Sequence, residues 1–189
     1  MIEFIEDKHI YLVSGVIVPS VTQILNKVFP NKYDGVDERV LKNKSIYGTK
    51  LHKCIELIEK KKPKRPIAYC KRYLGIDMYQ EESLKQYLDI KKKYKIEVLD
   101  SEKMVAYEDK YCGTMDMLAK VNGKMAIIDI KSTYELDQEY VGWQTSMYEL
   151  ADGQVDNLYC LWLPKGHIGD LYEVDRIPKK EINKLLKEW

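Results

Sequence analysis

The chain has 189 residues, of which 45% are hydrophobic and 32% charged, and its formal net charge is +1. These values exclude an intrinsically disordered chain, and the balanced charge does not by itself indicate a polyanionic partner. No apolar run approaches the ~20 residues of a membrane span, and the acidic N-terminal segment is unlike the basic start of a signal peptide. The four cysteines form no C-x-x-C pair, which argues against a zinc ribbon. We therefore expect one domain over residues 1–189, in a reducing, cytoplasmic setting and not at a membrane.

The first third of the sequence alternates turn signals with apolar runs. Ser20 and Gln23 precede an apolar run in the pattern of a capping box, which marks the start of a helix. Pro63 and Pro66 follow a long helical pattern and are expected to end it. The predicted elements are short strands in 2–18 around turns at Asp7-Lys8 and Ser14-Gly15, a helix at 21–28, a break at 30–35, and helical sections from near 37 and from 45 to about 61.

The rest of the sequence changes from helical patterns to strands and then alternates the two. Asp137 can cap a helix that Gly153 closes, and Pro178 stands at the start of the last helix. The predicted elements are a helix at 81–94, a strand at 96–107, a hairpin at 111–131, a helix at about 138–151, strands at 157–163 and 171–174, and a C-terminal helix that ends in Trp189. Residues 67–79 have no clear pattern. This order predicts an α/β fold with a central mixed β-sheet flanked by helices on both faces.

The dipeptide Asn122-Gly123 is the strongest local signal in the chain, because Asn-Gly between two apolar runs predicts a two-residue β-hairpin turn. Side chains alternate between the faces of a strand, and cross-strand partners share a face. The turn therefore predicts the cross-strand pairs Val121–Lys124, Asp116–Asp129 and Thr114–Lys131. On the same reasoning the aspartate face also carries Leu118 and Ile127, and the opposite face carries Met115, Met117, Ala119, Val121, Ala126, Ile128 and Ile130.

Asp116, Asp129 and Lys131 would then converge on one face of the hairpin. Two carboxylates directly opposite each other repel, and a divalent metal ion bound by oxygen ligands would remove that repulsion. The alternative is a structural ion pair between the lysine and one aspartate, which leaves the other carboxylate uncompensated in a mostly apolar sheet. The three side chains together therefore favour a metal-dependent hydrolase.

A helix before the hairpin carries a second set of candidates. Gly48, His52 and Glu56 recur every four residues, so they share one helix face. Either His52 binds a metal as a neutral imidazole, or it forms an exposed pair with Glu56 beside a packing glycine.

Three further residues have two interpretations each. Glu102, on the strand before the hairpin, is either another carboxylate near the metal or a surface glutamate paired with a lysine. Gln144 and Tyr148 lie four residues apart on a later helix. They either contact substrate or Lys131, or they close the edge of the core.

Taken in chain order, these residues resemble the motifs of the PD-(D/E)xK nuclease superfamily, and they are most similar to its RecB-type branch. That branch includes the mitochondrial genome maintenance exonuclease and CRISPR-associated and helicase-linked nucleases. The matching motifs, within a core of about residues 45–163, are Gly48-x-x-x-His52, Glu102, Gly113-x-x-Asp116, Asp129-x-Lys131 and Gln144-x-x-x-Tyr148. Met115 replaces the proline of the superfamily's name. The resemblance implies a restriction-endonuclease-like core, and without clustered cysteines no iron–sulfur cluster is expected.

The resemblance also implies a role for each position. The implied site comprises catalytic Asp116, Asp129, Lys131 and Glu102, metal-binding His52, Asp116, Asp129 and the carbonyl of Ile130, and substrate-binding Gln144, Tyr148, Gly48 and Thr114. The metal would be Mg²⁺ or Mn²⁺, as one or two ions. Lys131 would orient the attacking water and help to deprotonate it, and Gln144 and Tyr148 would contact DNA or steady this lysine.

The implied function is that of a divalent-metal-dependent DNA exonuclease acting on single strands or duplex ends. It would serve recombination, repair or replication in a bacterial or phage-infected cell, with a recombination or replication protein as partner. The alternatives are a structure-specific endonuclease of the same fold, a non-catalytic nucleic-acid-binding protein that retains the fold, and a hydrolase of another phosphoester. The sequence leaves the oligomeric state open.

Overall fold

A computed structural model describes residues 2–5, 10–30 and 35–189 of the chain. The strands are β1 (Ile2–Ile5), β2 (Ile10–Val13), β3 (Val16–Val18), β4 (Glu97–Tyr107), β5 (Tyr111–Val121), β6 (Lys124–Lys131), β7 (Asn157–Trp162) and β8 (Asp170–Glu173). The helices are α1 (Val21–Val28), α2 (Glu38–Lys61), α3 (Pro66–Leu74), α4 (Met78–Lys93), α5 (Gln138–Asp152) and α6 (Lys179–Glu188). The predicted turn at Asp7-Lys8 and residues 31–34 of the predicted break lie outside the described residues.

The central sheet has five strands in the order β4-β5-β6-β7-β8. β6 and β7 run parallel, joined by the crossover helix α5, and the other neighbours are antiparallel. Parallel neighbours require a long crossover connection, which α5 provides. The chain is therefore an α/β protein with a mixed sheet, as predicted.

Helices cover both faces of this sheet. One apolar cluster joins α2, α3 and α4 to one face, and its helical members include Leu51, Cys70 and Leu84. The other cluster joins α1, α5 and α6 to the opposite face, through residues such as Ile24 and Met147. The predicted arrangement of helices on both faces is confirmed.

A separate three-stranded sheet, β1-β2-β3, packs beside the central sheet. Tyr11 and Val18 of this sheet form a small buried cluster with Cys112 of β5. Ser20 forms an isolated parallel bridge with Cys112, so the N-terminal strands are fixed next to the start of β5. Short strands in residues 2–18 were predicted from the turn signals between apolar runs.

The predicted helix boundaries agree with the structure mainly where capping residues or prolines mark the ends of helices. The Ser20 hydroxyl accepts from the amide of Gln23 at 3.1 Å, and the Gln23 side chain accepts from the amide of Ser20 at 2.8 Å, as predicted. The predicted division of the following helix at residue 45 is wrong, because α2 runs without interruption to Lys61 and its interior has no proline. Pro66 begins α3, since proline fits the first turn of a helix.

No helix in the described part of the chain is long and apolar enough to cross a membrane.

Candidate metal centre

The turn at Asn122-Gly123 sets the register of β5 and β6. Both turn residues have positive φ, 50° and 85°, as a type I′ turn requires. The predicted register is confirmed from Val121–Lys124 to Met117–Ile128.

The predicted pairs Asp116–Asp129 and Thr114–Lys131 are wrong, because the cross-strand pairing ends at Met117–Ile128. Instead, the amide of Ile130 donates to Asp116 Oδ2 at 2.7 Å. The two strands separate where the two carboxylates would otherwise stand directly opposite each other, an arrangement that like charges disfavour.

Beyond this point the two aspartates have different partners. Asp116 contacts His52 of α2, whereas Asp129 contacts Lys131, which reaches α5. Met115 packs in the cluster of α1 and α5 and Met117 in the cluster of α2, α3 and α4, although both were predicted on the face opposite the aspartates. The charged residues therefore lie at one end of the sheet, between the two helix layers.

Three of the predicted residues converge on one point. His52 Nδ1 lies 3.3 Å from Asp116 Oδ1. Among the residues that the structure describes, His52, Glu102 and Asp116 each offer a ligand atom within 4.8 Å of the other two. These three side chains could together hold one metal ion, and we call this group of side chains the metal cluster. The alternative pair of His52 with Glu56 is not formed, because Glu56 instead contacts Lys53 at 2.7 Å and Lys60 at 2.9 Å.

Glu102 joins the metal cluster through an irregular strand. The pairing of β4 with β5 shifts between Val98 and Asp100, and Glu102 itself has a φ of 54°. A left-handed conformation costs a residue other than glycine on the order of 1–3 kcal/mol and is concentrated at functional sites. The predicted alternative, a regular surface glutamate paired with a lysine, has no support among the ion pairs of the described residues.

Lys131 is fixed on two sides. Its Nζ lies 2.7 Å from Asp129 Oδ2 and donates to Gln144 Oε1 at 2.9 Å. Gln144 Nε2 in turn donates to the Tyr148 hydroxyl at 2.9 Å. Because Tyr148 is 3% exposed, this chain of contacts steadies the lysine, and Tyr148 does not reach a surface where substrate would bind.

Two glycines allow the helices to approach the site. A Cβ on Gly48 would lie 3.1 Å from Ser132 Oγ, in the loop after β6. A Cβ on Gly113 would lie 2.8 Å from Tyr148 Cε1. Gly48 also lines the cleft beside the metal cluster.

Thr114 does not lie where a substrate-binding residue was expected. Its hydroxyl is hydrogen-bonded to the Tyr11 hydroxyl of β2 at 3.1 Å. The separation of β5 from β6 removes Thr114 from the predicted position opposite Lys131, so it joins the two sheets instead.

The charges of the site perturb one another strongly. Burial, together with the charge of Asp116, raises the pKa of Glu102 to about 7. Burial raises the pKa of Asp129 to about 6, despite the ammonium of Lys131. Burial lowers the pKa of His52, but the carboxylate of Asp116 outweighs it and raises that pKa to about 9. Burial also disfavours the ammonium of Lys131, but the carboxylates of Asp129 and Asp116 outweigh it and raise its pKa.

The donors suit a divalent cation. Two carboxylates and an imidazole form the metal cluster, a set that matches Mn²⁺, while the carboxylate oxygens also suit Mg²⁺. The buried Asp129 Oδ2 accepts no well-directed hydrogen bond, although its ion pair with Lys131 is short. Asp129 is not a member of the metal cluster, so its predicted role as a direct ligand differs from the arrangement seen here. Ile130, the predicted carbonyl ligand, lines the cleft.

The metal cluster opens into a cleft of about 780 Å³. One wall is the exposed side of α2 from Leu41 to Glu56, and the other is the segment from Ile130 to Thr133. Sequence reasoning missed the contribution of Lys44, Ser132 and Thr133 to this cleft. Ser132 and Thr133 could have been found from the sequence, because they directly follow Lys131 at the carboxyl end of a strand that has a parallel neighbour. Ligands bind at this end of parallel strands.

No model of a known protein family matches the chain, and no curated protein matches it. Among the solved structures with a similar fold is one titled "Crystal structure of SSO0001". It has 15% sequence identity and a TM-score of 0.39, and the match covers 74% of this chain and 72% of that chain. A likeness at this level carries no argument about function, so the chemistry of the site has to carry it.

Proposed function

We propose that the protein is a divalent-metal-dependent nuclease that hydrolyses phosphodiester bonds in DNA, acting as an exonuclease on single strands or duplex ends. The observation that carries this proposal is the metal cluster of His52, Glu102 and Asp116 beside a positioned lysine in an open cleft. The resemblance of the motifs to PD-(D/E)xK nucleases supports the same activity. We place it in the cytoplasm, in recombination, repair or replication, with a protein partner from one of these processes.

His52, Glu102 and Asp116 would hold Mg²⁺ or Mn²⁺. When bound, such an ion polarises a phosphoryl oxygen and lowers the pKa of water, which phosphodiester hydrolysis needs at neutral pH. Without the ion, burial and the neighbouring carboxylate of Asp116 raise the pKa of Glu102, so the ionised form of Glu102 is unfavourable for folding. A bound cation would offset this free-energy cost, which supports the assignment of the cluster to metal binding.

Lys131 is suited to bind a negative charge. The side-chain amine of Lys131 stays protonated at neutral pH, because the carboxylates of Asp129 and Asp116 outweigh burial and raise its pKa. We therefore assign it to orient the attacking water and to stabilise the charge that develops on the phosphate, and not to remove a proton. Gln144 fixes the direction of the ammonium, and Tyr148 fixes Gln144.

The test is cleavage of end-labelled linear single-stranded and duplex DNA, beside covalently closed circular DNA, with Mg²⁺, Mn²⁺ or excess EDTA. We expect linear DNA to be shortened only with the metals, and closed circles to remain intact. Lys131→Ala should lose cleavage and keep DNA binding. The matched control is Lys103→Ala, since Lys103 also pairs with an aspartate, Asp152 at 2.6 Å, but lies outside the cleft.

Two of the alternatives give results of their own in this assay. Cut circles would identify an endonuclease. DNA binding without cleavage of any substrate, in every metal, would identify a non-catalytic binding protein. Cleavage by the wild type in excess EDTA would overturn the metal-dependent mechanism.

A further inference from the structure

An exposed tyrosine stands beside the cleft in the loop that follows Lys131. Tyr134 is 64% exposed, which is unusual for a large aromatic side chain with no partner surface. It lines two further cavities, of about 250 Å³ and 530 Å³, on the two sides of its loop. Tyr134 therefore stands where these two cavities meet.

Both cavities border the cleft that holds the metal cluster. The smaller one shares Lys44 and Ser132 with the cleft, and the larger one shares Lys131 and Thr133. A ligand that occupies the cleft can therefore extend past Tyr134 without leaving a concave surface.

Two exposed lysines, Lys44 and Lys165, line the small cavity together with this tyrosine. Lys44 Nζ lies 5.6 Å from the centroid of the Tyr134 ring. Lys165 lines the same small cavity, and its Nζ lies 4.6 Å from the ring centroid of Tyr79. Within the described ranges, neither Lys44 nor Lys165 forms an ion pair with a carboxylate. Their charges are therefore available to a ligand.

The imidazole of His167 completes the surface. Its centroid lies 5.5 Å from that of Tyr134, and the two rings are nearly perpendicular at 79°. This edge contact fixes the tyrosine ring from one side and leaves most of the ring in solvent. We call Tyr134, His167, Lys44 and Lys165 the aromatic–basic surface.

An exposed aromatic ring beside cations matches an unpaired nucleotide. Every base has a π-face that stacks on an aromatic side chain, and the phosphates on either side of it need cations. The faces of a base inside a duplex are covered by its neighbours, so a stacking residue on an open surface selects single strands.

We propose that Tyr134 is a stacking platform for an unpaired base of single-stranded DNA, with Lys44 and Lys165 contacting the flanking phosphates. The inference rests on the proposed nuclease function and gives it a substrate class, a single strand that runs from the metal cluster over the aromatic–basic surface. Both lysines line the same small cavity as Tyr134, so they would draw the phosphates of the strand along that side of the ring.

The test is the fluorescence anisotropy of labelled oligo-dT in EDTA, where no metal-dependent cleavage occurs. Tyr134→Ala should weaken binding about tenfold, and Tyr134→Phe should bind within about twofold of the wild type, because stacking needs the ring and not the hydroxyl. Tyr73→Ala is the matched control, since Tyr73 is 59% exposed but lines none of the three cavities. Thermal unfolding of each variant reports whether the fold is retained.

An abasic oligonucleotide separates stacking from a change of fold. It should bind wild type and Tyr134→Ala equally, because no base is present to stack. Blunt duplex DNA should also bind both proteins equally, because its bases are covered by their neighbours. Lys165→Gln should reduce the salt dependence of oligo-dT binding by about one counterion. An oligo-rU arm tells whether the strand can also be RNA.

The outcomes for Tyr134 and for the nuclease are distinct. Equal binding of oligo-dT by wild type and Tyr134→Ala, no binding by either, or an equal loss with abasic DNA would overturn the platform even if the protein cleaves DNA. Binding that depends on Tyr134, in a protein that cleaves nothing with any metal, would support the platform and overturn the nuclease.

Discussion

Replacing Glu102 by glutamine removes one negative charge from the metal cluster and keeps the size of the side chain. In the metal-free protein, burial and the charge of Asp116 raise the pKa of Glu102 from 4.5 to about 7. The ionised form of Glu102 therefore opposes folding. Its removal should stabilise the metal-free protein, and the same removal should weaken the binding of a divalent metal.

The size of the effect follows from the pKa. Each pKa unit corresponds to about 1.4 kcal/mol, so the shift is worth at most about 3.5 kcal/mol, and solvent screening at a partly exposed side chain reduces this to about 1–2 kcal/mol. For a chain of this length that corresponds to a rise of about 2–8 °C in Tm. Because the folded protein holds the proton more tightly, the cost is absent below pH 4.5 and complete above about pH 7.

Thermal unfolding of wild type and Glu102→Gln, near pH 5 and pH 8, measures both effects. In EDTA the variant should have the higher Tm at pH 8 and a much smaller advantage at pH 5. Excess Mn²⁺ should raise the Tm of the wild type and have little effect on the variant. Glu97→Gln is the control, since Glu97 is an exposed glutamate on the same strand. Two results would refute the reasoning. One is a Tm of Glu102→Gln below that of the wild type in EDTA at pH 8, and the other is a rise in the Tm of the variant with Mn²⁺ as large as that of the wild type.

Three further predictions concern the site and its support. Mn²⁺ affinity should rise as the pH approaches 9, because the imidazole of His52, whose pKa is about 9, must lose its proton to bind a metal; calorimetric titrations that give the same affinity at every pH would contradict this. Gly113→Ala should cost about 1–3 kcal/mol in denaturant unfolding, since its Cβ would lie 2.8 Å from Tyr148 Cε1, and an unchanged free energy of unfolding would show that the ring moves freely. Tyr87→Phe removes a 2.6 Å hydrogen bond to the buried Glu59 and should cost about 1–3 kcal/mol; a loss below about 0.5 kcal/mol would mean that the other partner of Glu59 satisfies it alone.

The parts of the fold that depend on neighbouring residues could be predicted from the sequence. The Asn122-Gly123 turn determines the register of five cross-strand pairs, because the turn type admits one alignment. The capping box at Ser20 and the prolines likewise mark helix ends within a few residues. Each of these signals acts through atoms close together in the chain.

The separation of β5 and β6 could not be predicted, because its causes are distant in sequence. Asp116 leaves the ladder to meet His52 on α2 and the amide of Ile130. Extrapolation of the turn register therefore placed both aspartates opposite each other, although Asp116 contacts His52 and Asp129 contacts Lys131. The left-handed φ of Glu102 is a second departure that no local pattern indicates.

The candidate site was predicted as a set of residues better than as a geometry. Gln144 and Tyr148 were expected either to contact DNA or to steady Lys131, and the hydrogen bonds favour the second role. His52 and Glu102 each had a structural alternative, and their positions next to Asp116 favour the metal cluster. The aromatic–basic surface was missed, since Lys44, Tyr134 and Lys165 come from three separate segments.

The most direct measurement of the central claim is the single-turnover rate of cleavage of end-labelled single-stranded DNA with saturating Mn²⁺, for wild type and Asp116→Asn. Asp116 connects His52, Glu102 and Ile130, so loss of its charge disturbs the whole metal cluster with little change of shape. We expect the wild type to cleave and the variant to be at least about a hundredfold slower. Cleavage at the wild-type rate by a folded Asp116→Asn would contradict the assignment of catalysis to this cluster.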